Sequence, residues 1–225
     1  MKYTPQVTAP KPDKDPVKKL ARSGKVVGRK TIPPGEVRII GGVYKRSKIP
    51  VPSLSSTPGL RPTPDRVRET LFNWLGQDLT GWRVADVFAG TGVLGFEAAS
   101  RGAAQVLMYE QAPALSDKLK ALQTRLNASM VSVERGDGVS LLRRANPASL
   151  QLIFLDPPYE STAFEAALRA AAQAIASPGF VYLEAPKPWT DDELAGFGLK
   201  VHRFGKAGAV HFHLLVKETK DTPGA

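Results

Sequence analysis

The stretch Asp86-Val87-Phe88-Ala89-Gly90-Thr91-Gly92-Val93-Leu94-Gly95 decides the fold. Arg83 to Phe88 reads as a strand and Val93 to Ser100 as a helix, so the glycines of a G-x-G-x-x-G pattern fall between them. Glycines at such a junction let the chain turn sharply and let a ligand approach the backbone. By itself the pattern suits a dinucleotide enzyme as well as a methyltransferase. Asp86 shifts the balance: a carboxylate at the strand's end, four residues before Gly90, suits a cationic ligand and repels a pyrophosphate. S-adenosylmethionine carries both a sulfonium and an ammonium group.

Outward from this junction the βα pattern repeats. Gln105 to Tyr109 is a second strand, and Leu115, Leu119, Leu122 and Leu126 mark one face of the next helix. Met130 to Val133 is a third strand and Val139 to Arg144 a short helix. Leu150 to Leu155 is a fourth strand, apolar enough to be covered on both faces. Residues 162–176 form an alanine-rich helix and Phe180 to Leu183 a fifth strand. Leu199 to Phe204 and Ala209 to Val216 are joined by only Gly205-Lys206-Ala207-Gly208, which predicts an antiparallel hairpin. The expected fold is therefore α/β: a Rossmann-like, doubly wound sheet, mostly parallel, with ligands at the strands' carboxyl ends.

Two further acids stand at strand ends. Glu110 closes the second strand, where a carboxylate can accept both hydroxyls of a ribose. Asp137, in Gly136-Asp137-Gly138, can accept from an adenine amino group. The fourth strand runs into Asp156-Pro157-Pro158-Tyr159. Consecutive prolines fix two φ angles and remove two donors. What remains is a rigid rim of acceptors for a planar NH₂ group, with the Tyr159 ring for a base to stack on, an interaction worth roughly 1–3 kcal/mol per base.

The N-terminal third is different in character. Residues 1–36 carry nine Lys/Arg against three Asp/Glu, residues 37–75 seven against two, and residues 76–225 fifteen against sixteen, so the whole excess of +10 lies before residue 76. Residues 1–36 are rich in proline and lysine, have little apolar pattern, and are expected to be a disordered tail. Val37 to Pro52 reads as two short strands around Gly41-Gly42, residues 53–62 as a loop, and a helix starts with Thr63 as N-cap, Pro64 at its first position and Asp65 in its first turn. Residues 76–225 form the main domain. Two adjacent basic segments before a near-neutral domain favour a polyanion partner.

Composition removes several classes. There are no cysteines, which excludes disulfides and cysteine-ligated zinc, and three histidines make a poor metal set. No apolar run reaches the length of a membrane span, and no apolar stretch follows the first lysines as a secretory signal requires. A cytoplasmic monomer without a metal is expected. His202, His211 and His213 fall in predicted strands and read as structural.

From about Val37 to Val216 the chain resembles the bacterial 16S rRNA guanine-N2 methyltransferases of the guanine-966 type, on the class I methyltransferase fold. The marks are Arg38-Ile39-Ile40-Gly41-Gly42, Leu60-Arg61-Pro62-Thr63 and Asp65-Arg66-Val67-Arg68-Glu69-Thr70-Leu71-Phe72-Asn73, together with the two loops already described. The resemblance implies methyl transfer from S-adenosylmethionine to a guanine N2 of small-subunit rRNA, in an assembled or nearly assembled subunit. It implies a cofactor set of Asp86, Phe88, Gly90, Gly92, Glu110, Asp137 and Thr63. Asp156, Pro157 and Tyr159 would form the amino-group site, and Arg38, Lys45, Arg46, Arg61, Arg66 and Arg68 would face RNA. An adenine-N6 methyltransferase uses the same loop but normally needs a larger target-recognition region. A glutamine-N5 methyltransferase usually has Asn where Asp156 stands. A nicotinamide-dependent oxidoreductase is opposed by Asp86, and a non-catalytic RNA-binding module by the intact motifs.

Overall fold

The computed structural model describes residues 35–52, 60–158 and 162–218. Most of the basic tail, most of the 53–62 loop, and Tyr159 lie outside these residues. β1 (Gly35–Arg38) and β2 (Lys48–Val51) pair antiparallel with Val37 opposite Ile49. The hairpin thus begins at Gly35, inside the stretch assigned to the tail, and Glu36 pairs with Lys48 at 2.8 Å. Its chain reversal is held from outside: Ser100 accepts from Val43 N through its carbonyl (2.7 Å) and from Tyr44 N through its hydroxyl (2.9 Å). Ile39 and Ile49 are buried in the main core.

α1 (Asp65–Trp74) buries Val67, Arg68, Leu71 and Phe72, one helical face. Its N-cap is Pro64 and not Thr63. The Thr63 hydroxyl donates instead to the Glu184 carboxylate at 2.7 Å, a partner 121 residues away that no local capping rule anticipates. Trp74, half-buried, stacks on Phe212 with ring centroids 5.3 Å apart.

The alternating units follow: β3 (Arg83–Asp86), α2 (Val93–Ser100), β4 (Gln105–Glu110), α3 (Pro113–Arg125), β5 (Val131–Arg135), α4 (Gly138–Leu142), β6 (Leu150–Leu155), α5 (Ala163–Ala174), β7 (Ile175–Ala185), α6 (Asp191–Ala195), β8 (Leu199–Ala207) and β9 (Val210–Lys217). The seven-stranded sheet has the order β5-β4-β3-β6-β7-β9-β8. The first five are parallel, and β9 lies antiparallel between β7 and β8. This is the class I methyltransferase arrangement with the expected antiparallel C-terminal hairpin.

Alternation along the strands divides the interior into two cores. Val84, Leu152, Phe154 and Tyr182 face the side that packs α1, α2 and α3. Ala85, Ile153, Leu155, Val181 and Leu183 face the side that packs α4 and α5. Each buried Val, Leu, Ile or Phe side chain, fully removed from water, contributes about 1.5–3 kcal/mol. Phe154 meets both Phe72 and Tyr182 edge to face, at 6.4 and 6.1 Å.

Further elements depart from expectation. β8 runs on to Ala207, because Gly205, Lys206 and Ala207, assigned to the hairpin connection, pair with Phe212, His211 and Val210. β7 begins at Ile175, not Phe180, because Ile175 pairs with Leu150 before a register shift brings Phe180 opposite Leu152. α6 is too short for helical periodicity to reveal it, although Thr190 and Glu193 form a reciprocal capping box at its start. The chain reverses between β3 and β6: successive units run outward to β5, then return to β6. Ligands of such sheets bind at the carboxyl ends of the two strands flanking that point.

Candidate active site

Asp86 ends β3 on the α1–α2 side and is almost fully buried. One oxygen accepts from Gly95 N at 3.0 Å, inside α2. Gly95 is needed for that approach, since a Cβ there would lie 3.1 Å from Asp86 Oδ2 and collide with Met108. Gly92 caps the same helix at φ 78°, a conformation that side chains disfavour. Burial pushes the Asp86 carboxyl up to about 7, against the bond from Gly95, with the negative charge of Glu110 adding to the rise.

Glu110 ends the neighbouring β4. Its two oxygens accept from Gly90 N at 2.9 Å and from Ala112 N at 2.8 Å. The side chain therefore ties the glycine loop to the start of α3, while each of its oxygens keeps a lone pair for a further donor. Asp137 is exposed at the end of the β5 turn and caps α4, accepting from Ser140 N (3.0 Å) and Ser140 Oγ (2.5 Å) through one oxygen. The Ser140 hydroxyl holds its carboxyl below the usual aspartate range. Phe88 is half-buried beside the second core.

Asp156 follows β6 directly, half-buried, with Pro157 buried and Pro158 exposed. Burial raises its carboxyl well above the ordinary range, and the negative charges of Glu184 and Asp86 raise it further. Tyr159 is not among the described residues.

Sequence reasoning missed Glu184. It lies near the end of β7, almost fully buried, and one oxygen accepts from Thr63 Oγ1 at 2.7 Å and Tyr182 OH at 2.9 Å. A signal was present: Glu184 is an acid at the end of an apolar strand, as Asp86 and Glu110 are. Thr63, assigned to the cofactor, has its hydroxyl engaged here.

Arg38, Lys45, Arg46, Arg61 and Arg66 are exposed. Arg68, expected to face RNA, is not: it is completely buried. Its guanidinium donates to Thr63 O (3.1 Å), Arg38 O (3.0 Å) and Asp65 Oδ1 (2.5 Å), and pairs with Glu97. Glu97 also pairs with Arg101 and accepts from Ile40 N at 2.9 Å. This buried network fastens the hairpin and α1 to α2. His213 is also fully buried, accepting from Trp189 N at 3.1 Å, and burial lowers its affinity for a proton.

Comparison with known proteins bears on this arrangement. Residues 37–216 match the family described as conserved hypothetical protein 95. The ribosomal RNA small subunit methyltransferase D of Escherichia coli (strain K12) is 34% identical over 198 residues, covering 83% of this chain and 92% of that protein. The protein of the same name from Haemophilus influenzae is 40% identical over 137 residues, covering 60% and 69%. Among solved structures, a methyltransferase from Escherichia coli superposes with a TM-score of 0.70 at 34% identity, covering 83% of this chain and all of that one. A methylase from Haemophilus influenzae superposes with a TM-score of 0.66 at 29% identity, covering 82% and 100%.

Proposed function

The chain belongs to the conserved hypothetical protein 95 family, alongside the ribosomal RNA small subunit methyltransferase D proteins, and we propose that it methylates the exocyclic N2 of a guanine in 16S rRNA. It is an S-adenosylmethionine-dependent methyltransferase. The observation that carries the reading is the placement of Asp86 and Asp156. These two acids stand at the ends of adjacent parallel strands at the sheet's reversal point, one beside the glycine loop and one in the proline rim.

The donor set fits the cofactor. Asp86 is a buried carboxyl that a neighbouring cation would ionise, Glu110 offers lone pairs to a ribose, and the Asp137 carboxyl is held below the usual aspartate range at the outer end. S-adenosylmethionine supplies an electrophilic methyl carbon, whose bond to sulfur breaks, its electron pair going to sulfur, as the amino lone pair forms the new N–C bond. The chain's own contribution is positioning, which can account for about 7–11 kcal/mol of a barrier. Asp156 and the Pro157 carbonyl accept the two amino hydrogens and turn the nitrogen lone pair toward the methyl group. Asp156 then takes the proton that the substituted nitrogen loses. The Tyr159 ring stacks on the base, and Arg38, Lys45, Arg46, Arg61 and Arg66 contact phosphates.

The substrate we propose is the small subunit, or a late assembly intermediate already carrying its proteins. Incubating the protein and S-adenosylmethionine with small subunits that lack the modification tests the reading. N2-methylguanosine in the digested rRNA supports it; N6-methyladenosine, or no methylated product on any subunit preparation, contradicts it.

A further inference from the structure

Strand register sets Asp156 beside Glu184, with Asp86 two positions back on the neighbouring strand. β3, β6 and β7 are adjacent and parallel. Asp86 is opposite Phe154, and Leu155 is opposite Leu183, so continuing the register sets Asp156 against Glu184. Leu155 and Leu183 face the α4–α5 core, and side chains alternate along a strand. Asp156 and Glu184 therefore turn to the other side, where Phe154 and Tyr182 lie and where α1 packs.

Packing alone does not account for Glu184. An apolar residue there would cost less than an almost fully buried carboxyl beside a second acid. Its position is instead closely specified. Tyr182 and Thr63 both donate to the same oxygen, and Thr63 immediately precedes the start of α1. Burial raises the Glu184 carboxyl, and the two hydroxyls partly oppose the rise.

We propose that Glu184 is a positioning residue for methyl transfer, acting through Asp156 and anchored to the start of α1 by Thr63. The inference rests on the function proposed above. Two carboxyl groups side by side in a buried place do not both ionise readily, so the charge on one strengthens the other as a base. Glu184 thus prepares Asp156 to take the proton from the methylated amino nitrogen. The nitrogen returns to neutrality and Asp156 becomes a neutral acid, which solvent deprotonates once the product has left. The other groups bearing on the pair are Asp86 on β3, whose charge acts on Asp156, and the Thr63 and Tyr182 hydroxyls, which act on Glu184. From α1, Arg68 is engaged with both Asp65 and Glu97.

The test is a carboxyl-carbon NMR titration of the full chain and its Glu184→Gln variant, and single-turnover rates against pH for wild type and Glu184→Gln. The Asp156 midpoint is expected to fall in Glu184→Gln by about one pH unit or more. The acid limb of the rate profile moves down by the same amount in Glu184→Gln, and the plateau falls severalfold because Asp156 is then a weaker base. S-adenosylhomocysteine affinity does not change. An Asp156 midpoint that stays in place, or a rate limb that stays while the midpoint moves, overturns the inference. If Glu184→Gln does not fold, the wild-type titration decides: each carboxyl carbon should report both midpoints of the pair, and two independent single-step curves overturn the inference. Wild-type protein that methylates no subunit sinks the function itself; active wild type with an unmoved limb sinks only the role of Glu184.

Discussion

Arg68 and Glu97 form an ion pair in which neither side chain is exposed to solvent. Removing one partner of such a pair leaves the other charge buried and costs about 3–5 kcal/mol. Arg68→Ala should therefore lower the denaturant midpoint sharply. Arg66→Ala, two residues earlier and exposed, should change stability by no more than about 0.5 kcal/mol. Equal destabilisation in the two variants would contradict the buried role of Arg68.

Cofactor binding should depend on pH through Asp86. Its carboxyl is raised to about 7 in the fold, so between the ordinary aspartate range and 7 the folded chain holds a proton that the unfolded chain lacks. This group's contribution to stability is present at low pH and is lost as pH rises through 7. A cation bound beside Asp86 favours the ionised form and expels that proton. S-adenosylmethionine affinity should rise between pH 6 and 8, with proton release visible by calorimetry in buffers of different ionisation enthalpy. Affinity independent of pH, with no proton released, would count against Asp86 as the cationic contact. Asp86→Asn should weaken binding by about tenfold or more.

Asp156→Ala should lower the transfer rate by at least about 10²-fold while S-adenosylhomocysteine still binds. Tyr159→Ala should lose much of the activity and Tyr159→Phe should keep most of it, because stacking uses the ring and not the hydroxyl. Near-normal turnover in Asp156→Ala, measured in single-turnover assays, would remove it from the chemistry.

Removing residues 1–34 should weaken subunit binding without changing the modified nucleotide. A lysine-rich segment can neutralise phosphates but presents no fixed face to a base. The log–log salt dependence should flatten by about 0.7 for every phosphate of single-stranded RNA that the tail no longer neutralises. Arg61→Ala, next to the α1 start that Thr63 anchors to Glu184, should lower turnover as well as affinity. An unchanged salt slope in the truncated protein would mean that the tail does not touch RNA.

The parts of the fold legible in the sequence were those set by local periodicity. The βα repeats, the glycine junction after β3 and the C-terminal hairpin all follow from short-range pattern. Glu110 at the end of β4 was legible for the same reason. What escaped depended on partners distant along the chain. Thr63 looks like a helix cap because Pro64 and Asp65 follow it, but its hydroxyl reaches Glu184, distant along the chain. Arg68 looks like a phosphate ligand in a basic run, but helical periodicity places it on the buried face with Val67 and Leu71. Its partner Glu97 lies inside the otherwise apolar α2, where an acid signals a buried counter-charge. α6 is too short to show a period, although Thr190 and Glu193 carry its capping signal.

The most direct measurement is mass spectrometry of 16S rRNA nucleosides and fragments from a strain lacking this gene, complemented with wild type or with Asp156→Ala. The account predicts that one N2-methylguanosine disappears, returns with wild type and does not return with Asp156→Ala. An N2-methylguanosine complement unchanged by the deletion, or restored by Asp156→Ala, would contradict it.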